Sequence, residues 1–507
     1  MSRSSTPRAD NLHCSATVPP RMHFQRKPAD MNQHKPIPPS DAAPLYKKRE
    51  PIYPKLVSGK FRSAKFGFMI FALAVYYILP WLRWDRGPDA PDQAVLADFA
   101  GGRFYFFFIE IWPQEVYYIT GLLILAALGL FLVTSLFGRV WCGYACPQTV
   151  WTDLYIAVER FFEGDRNQRI KLDRAPWSFN KVWRKTGKHI VWILIAALTG
   201  GALVFYFHDA PSLVMNFFTG HAPATAYIFV ALLTFTTYSL AGTMREQVCT
   251  YLCPWPRIQA ALTDEHALNV TYRWDRGEPR GPHKKGETWD GRGDCVDCKA
   301  CVTACPMGID IRNGPQLECI HCALCIDACD DIMKKVDRPT GLIAYDTDTN
   351  VERRAAGLDS LPFKFLRPRV LIYVVLISAI SALMVYGLAT RSTFELNVLK
   401  DRSPSFVELS DGRIQNGYAL KLVNKRGDEK AIRIDISGIE GAEYSLVGLE
   451  DGDMTVNVDG EHVDRFRLVI RIPSEFVSGN DSLRVTATDT ETGEADTNII
   501  PFSSPRS

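Results

Sequence analysis

Cys295, Cys298, Cys301 and Cys305 form a C-x2-C-x2-C-x3-C run followed by Pro306. After a short spacer, Cys319, Cys322, Cys325 and Cys329 repeat it, followed by Asp330 where a proline might stand. Zinc also takes C-x2-C pairs, but it needs four ligands per site and rarely uses three evenly spaced cysteines plus a fourth. Two such runs in tandem are the bacterial two-cluster ferredoxin pattern, in which three thiolates of one run and the fourth of the other hold each 4Fe-4S cube. The spacing therefore predicts one cluster on Cys295, Cys298, Cys301 and Cys329. It predicts a second on Cys319, Cys322, Cys325 and Cys305.

A second set of thiols has a different spacing. Cys142 and Cys146 precede Pro147, and Cys249 and Cys253 precede Pro254, giving two C-x3-C-P motifs. Residues four apart share a helix face, so each motif can present two thiols together. The proline limits how far the backbone continues as helix. Four such thiols at one depth suit soft Cu(I), a third iron-sulfur cluster, or dithiol–disulfide cycling; the plain alternative is inert buried cysteine. Symmetric placement favours chemistry over packing, and spacing does not choose the ligand.

The elements that must position these thiols are membrane spans. Five apolar runs without charges, at 66–82, 116–137, 189–207, 224–242 and 370–388, are long enough to cross a bilayer as helices. Each C-x3-C-P motif follows a pair of them. Lys47, Lys48, Arg49, Lys60, Arg62 and Lys65 precede the first run, and Arg139, Arg160, Arg166, Arg169, Lys171, Arg184 and Lys185 lie between the second and third. Lys364, Arg367 and Arg369 precede the fifth, while residues 208–223 contain no Lys or Arg. The positive-inside rule then places the N-terminus and the ferredoxin segment in the cytoplasm and the C-terminal region outside. Cysteine usage agrees: all but Cys14 of the 13 cysteines sit in these motifs, as expected on a reducing side.

The chain of 507 residues is too long for one core, and a net charge of +2 argues against nucleic-acid binding. Residues 1–60 read as a disordered cytoplasmic tail without a cleavable signal; 61–260 as a membrane domain carrying the first four spans and both C-x3-C-P motifs; 261–365 as the ferredoxin domain; 370–388 as the fifth span. The stretch 104–112 reads as an aromatic segment at the membrane interface. Residues 391–507 alternate apolar and polar in short runs, as in 418–423, 431–436, 466–472 and 482–487, which predicts an immunoglobulin-like β-sandwich. His189, His208 and His221 lie near span ends and read as interfacial rather than ligating.

The C-x3-C-P motif within 141–151, its partner at Cys249 and the twin ferredoxin runs together resemble the FixG/RdxA/CcoG family of cytochrome c oxidase accessory proteins from Gram-negative bacteria. The likeness runs from about residue 50 to the end. It implies a bacterial inner-membrane protein that serves assembly of the cbb3-type oxidase by reducing Cu(II) to Cu(I). The ferredoxin cysteines would hold two 4Fe-4S clusters, and Cys142, Cys146, Cys249 and Cys253 would be the catalytic, copper-handling set. The implied partners are a copper-transporting P-type ATPase, copper chaperones and a cytoplasmic electron donor of unknown identity; a homodimer is left open. Two other functions fit the motifs: a quinol-linked electron-transfer subunit for a periplasmic reductase, and a non-catalytic assembly scaffold.

Overall fold

The computed structural model describes residues 51–87, 90–283, 286, 288–448, 454–460, 462–477 and 481–505. In chain order, α1 (Lys60–Ile78) is followed by a small antiparallel sheet of β1 (Val95–Asp98), β2 (Arg103–Phe106) and β3 (Ile109–Ile111). Then come α2 (Tyr117–Phe137), α3 (Val140–Tyr144), α4 (Pro147–Glu163), α5 (Arg166–Arg174), α6 (Phe179–Val204), α7 (Ala210–Thr219), α8 (Ala224–Thr237) and α9 (Trp255–Leu262). Among the described residues, five helical stretches are long and apolar enough to cross a membrane: Lys60–Trp81, Pro113–Phe137, Phe179–Val204, Ala224–Met244 and Pro368–Ala389.

The third of these starts ten residues before the apolar run does. Its first turns carry Lys181, Lys185 and Lys188, and Ser178 caps it by accepting from the Lys181 backbone N–H at 3.3 Å. Those lysines have carboxylate or carbonyl partners on the preceding helices. Lys188 Nζ lies 2.7 Å from Glu163 and 3.3 Å from Glu159, Lys185 Nζ lies 3.0 Å from Glu163, and Arg169 is 2.5 Å from Glu159. Pairing is what lets these charges be buried.

The stretch 104–112 folds as the β2–β3 hairpin. Its aromatics alternate as strand residues do: Tyr105 and Trp112 are buried, Phe106 and Phe108 exposed. The expected tail also ends earlier than residue 60. Residues 1–50, with His13, Cys14, His23 and His34, lie outside the described residues, but the chain from Ile52 is tied down. Tyr53 donates to Asp173 at 2.7 Å, Lys55 N–H to Thr303 O at 2.8 Å and Leu56 N–H to Asp165 at 3.0 Å.

The cysteine-rich module contains β4 (Asn269–Tyr272), α10 (Trp274–Gly277), α11 (Ala300–Ala304), α12 (Leu324–Lys335), β5 (Ile343–Asp346) and α13 (Asp348–Ala355). β4 and β5 pair antiparallel, and Cys295, Cys301 and Cys329 are part of the module's buried core. α14 (Pro368–Ala389) packs on α2 and leads to a two-sheet sandwich. Its strands are β6 (Phe394–Lys400), β7 (Val407–Glu408), β8 (Arg413–Asn424), β9 (Lys430–Ser437), β10 (Glu443–Leu446), β11 (Thr455–Val458), β12 (Val463–Pro473), β13 (Ser482–Asp489) and β14 (Ala495–Pro501). One sheet runs β10-β12-β8-β6, with β7 on β8, and the other β11-β9-β13-β14. Inward residues such as Leu420, Leu422, Ile432, Leu468 and Val485 fill the space between them. Buried Glu115, just before α2, accepts from Arg391 at 2.8 Å and Lys425 at 3.0 Å, which moors the sandwich to the bundle.

Candidate metal centres

Each ferredoxin run folds the same way around its second cysteine. Asp297 and Lys299 flank Cys298 with φ of 52° and 56°, and His321 and Ala323 flank Cys322 with φ of 52° and 59°. Left-handed backbone costs energy in non-glycine residues. Here it curls each loop so that its thiols share one centre, and the repeat of four such residues at matching positions marks a built feature.

The loops gather the eight thiols into two groups. Cys329 lies within electrostatic range of Cys301, Cys295 and Cys298. Cys305 lies within range of Cys322 and Cys319, and Cys325 within range of Cys322, Cys319, Cys305 and, across the two groups, Cys301. Cys305, Cys319, Cys322 and Cys325 also line one cavity, together with Cys301 of the first group. Burial pushes the Cys305 and Cys319 thiols up to about 12 and raises Cys325 and Cys329 as well. Thiols so placed deprotonate only when a metal takes up their charge. Among the described residues no three His, Cys, Asp or Glu side chains are close enough to hold a single ion. Two groups of four thiols, three from one run and the fourth from the other, match the donor sets of two 4Fe-4S clusters. Of the first group, Cys298 is exposed while Cys295, Cys301 and Cys329 are buried.

The C-x3-C-P thiols also lie within electrostatic range of one another. Cys142 interacts with Cys146 and Cys249, Cys249 with Cys146 and Cys253, and Cys146 with Cys253. Their backbones are not a simple helix face. Cys142 is on α3, but Cys146 is extended (φ −60°, ψ 128°) and caps α4, with Pro147 as its first residue. Cys249 is on a π-helical turn, Val248–Leu252, and Cys253 is extended (φ −82°, ψ 122°) before Pro254 and α9. Each proline therefore opens a new helix, a place where its missing N–H is no loss. The chain bends at the second thiol, which turns it toward the others. Gln259 of α9 accepts from Cys142 Sγ at 3.3 Å, so the second motif's helix holds the first motif's thiol.

This quartet lies against the second ferredoxin run. Gly143 makes the approach feasible: a Cβ there would fall 2.7 Å from Ile320 O and 2.9 Å from Cys322 Cα, both backbone atoms that cannot yield cheaply. Cys142 packs in the same cluster as Ile320 and Cys322. Tyr144 OH donates to Cys322 O at 3.3 Å, and Tyr345 OH to His321 O at 2.6 Å. Buried Arg139 donates to the carbonyls of Leu317, Cys319 (3.3 Å) and Pro256 (2.8 Å). Its backbone N–H donates to His321 Nδ1 at 3.0 Å, and burial beside that guanidinium pushes His321 down to about 3, so the ring stays a neutral acceptor. On the other side, the Asp327 carboxylate of α12 accepts from the Phe61 and Arg62 N–H groups at 3.3 and 2.8 Å, capping α1.

Gly143, Arg139 and His321 were not singled out by spacing. Gly143 stands inside a C-x3-C-P motif, and that was the only local hint. His189 meets Tyr238 OH at 2.9 Å and His221 meets Thr219 Oγ1 at 3.1 Å; among the described residues neither these nor His208 joins a metal-ligating group.

Family models match three stretches: a 4Fe-4S binding domain over residues 119–163, a 4Fe-4S dicluster domain over 244–348, and the Ig-like fold at the C-terminal of FixG over 384–505. The chain is 48% identical to the nitrogen fixation protein FixG of Rhizobium meliloti (strain 1021), over 91% of this chain and 94% of that protein. It is 54% identical to protein RdxB of Cereibacter sphaeroides over 81% of this chain and 87% of that one. To protein RdxA of the same organism it is 50% identical, over 86% and 92%.

Proposed function

The chain belongs to the FixG family, with RdxA and RdxB as further relatives, and on that premise we propose that it is a membrane-bound cupric reductase for assembly of the cbb3-type cytochrome c oxidase. The observation that carries this reading is the seating of the first C-x3-C-P motif directly on the loop of the second ferredoxin run, through Gly143 and Arg139, with Cys249 lining a pocket against the same loop. In this proposal Cys295, Cys298, Cys301 and Cys329 hold one 4Fe-4S cluster, and Cys319, Cys322, Cys325 and Cys305 the other. When bound, such clusters supply single electrons, the unit that reduction of Cu(II) to Cu(I) needs. Cys142, Cys146, Cys249 and Cys253 take the copper, because Cu(I) prefers soft thiolates. Arg139 and Gln259 fix the thiols' positions. Exposed Cys298 marks the side nearest an incoming electron donor, and exposed Cys253 the side nearest incoming metal. The Lys and Arg distribution supports a cytoplasmic ferredoxin module and a periplasmic sandwich. The partners that follow are a copper-transporting P-type ATPase, copper chaperones and a cytoplasmic electron donor.

One observation favours a second reading. The 4Fe-4S binding domain match over 119–163 includes Cys142 and Cys146, which favours the quartet as the seat of a third cluster. Metal analysis separates the two. Protein purified under argon should hold about eight iron and eight sulfide per chain, and after incubation with Cu(I) it should retain copper. Replacing all four C-x3-C-P cysteines with Ser should abolish the copper and leave the iron. About twelve iron in the wild type, falling to about eight in the variant, would instead establish the third cluster.

A further inference from the structure

A single wall separates the second ferredoxin run from the thiol quartet, and two side chains reach both of its faces. Met307 and Ile320 line the cavity that holds Cys305, Cys319, Cys322 and Cys325, and both also line the pocket that holds Cys249. Met307 packs as well in the cluster that contains Cys142 and Cys322. Of the two, only Met307 carries a donor atom.

The charged side chains of the pocket at Cys249 are already paired. Asp153, Lys65, Arg245 and Glu246 line it. Asp153 lies 2.8 Å from Arg62 and 3.6 Å from Lys65, and Arg245 lies 2.8 Å from Glu159. A carboxylate held by two cations is a poor hard ligand for an incoming metal. The soft sulfurs of Cys249 and Met307 are the donors best placed for it.

We propose that Met307 is a thioether ligand for Cu(I), completing the site that Cys249 and its neighbouring thiols begin. This rests on the reading that the quartet handles copper, and adds a ligand from outside both C-x3-C-P motifs. A thioether is soft and uncharged, so it favours Cu(I) over Cu(II) and needs no proton removed before it binds. The unbranched methionine side chain can shift to meet an arriving ion. Because Met307 comes two residues after Cys305, it also ties the copper position to the ferredoxin fold.

The test uses full-length, iron-loaded, detergent-solubilised protein labelled with selenomethionine and given one equivalent of Cu(I). X-ray absorption at the copper edge should show a selenium neighbour. Met307→Leu should remove that neighbour, and Met244→Leu should not. Cu(I) affinity, measured against a chromogenic chelator, should fall about tenfold in Met307→Leu with iron content unchanged. Met307→Cys should lose the selenium signal and keep the affinity, which covers the case where leucine disturbs the iron. Copper bound by the quartet with sulfur neighbours alone would overturn the role of Met307 and leave the quartet's role standing. Copper binding that survives Cys→Ser replacement of the whole quartet would sink the reading on which this one rests.

Discussion

Cys142 sits on an α-helical turn clamped to the ferredoxin module, whereas Cys249 sits on a π turn next to an exposed Cys253. The two motifs share a spacing and a proline, yet they are held in different ways. Around the first, Gly143, Tyr144 and Arg139 all touch the backbone of the second ferredoxin run. The second follows another π turn, Tyr238–Met244, and no residue of Val248–Leu252 is fully buried. π turns are rare and recur at functional sites, because the extra residue sacrifices regular packing for a particular placement. The contrast sets a firmly packed first pair against a more exposed second pair; in the proposed function these are the fixed half of the site and the half that opens to a ligand.

The largest effect should come from filling the space at Gly143. Gly143→Val would drive side-chain carbon into Ile320 O and Cys322 backbone atoms. It should cost about 3 kcal/mol or more and release iron from the second cluster, read by iron content and thermal unfolding. The equivalent change in the second motif, Thr250→Val, removes one hydroxyl bond to Glu246 O at 2.9 Å. It should cost about 1 kcal/mol and leave iron in place. Equal losses at the two sites would erase the distinction.

A smaller effect is expected from Arg139→Ala, which strips donors from the Leu317, Cys319 and Pro256 carbonyls. A loss of about 2 kcal/mol in unfolding free energy is expected, with the second cluster's absorbance fading first on heating. If both clusters fade together, Arg139 does not act through the second run.

The subtlest test is thiol alkylation of copper-free protein. Burial, followed by the neighbouring thiols, pushes Cys142 and Cys249 up to about 12, so little of either is thiolate at pH 8. Their labelling should rise about tenfold per pH unit between pH 8 and 10. Exposed Cys253 should be labelled first at pH 8, by peptide mass analysis. Labelling of Cys142 ahead of Cys253 would reverse the assignment of fixed and open halves.

What was legible in the sequence was whatever depends on short-range spacing. The ferredoxin runs, the paired thiols and the five apolar stretches are local patterns, and the alternation in 418–423 or 482–487 is enough to announce a sandwich. The strands at 103–111 carry the same alternation, masked there by consecutive aromatics. The contacts that seat one thiol set on the other are not local. Arg139 reaches Cys319, Asp327 reaches Arg62, and Tyr53 reaches Asp173 across more than a hundred residues each. No composition signal reports such a pairing. The segment from Ile52 looked like tail because Pro51 and Pro54 sit among polar residues; its order comes from partners on α5 and the ferredoxin module. The lysines of α6 hid the true helix start for a related reason, since an apolar window ignores charges whose partners lie on another helix.

The most direct test is single-turnover reduction of Cu(II) by protein reduced with dithionite and freed of excess reductant, with the rise of Cu(I) followed by a chromogenic chelator. Wild type and a variant with Cys142, Cys146, Cys249 and Cys253 all replaced by Ser would be compared at equal iron content. If the ferredoxin module supplies the electrons and the quartet handles the copper, the variant should keep its reduced-cluster spectrum and pass electrons to Cu(II) at least tenfold more slowly, about 1.4 kcal/mol in barrier. A variant as fast as wild type would show that these four thiols are structural and that copper is reduced elsewhere.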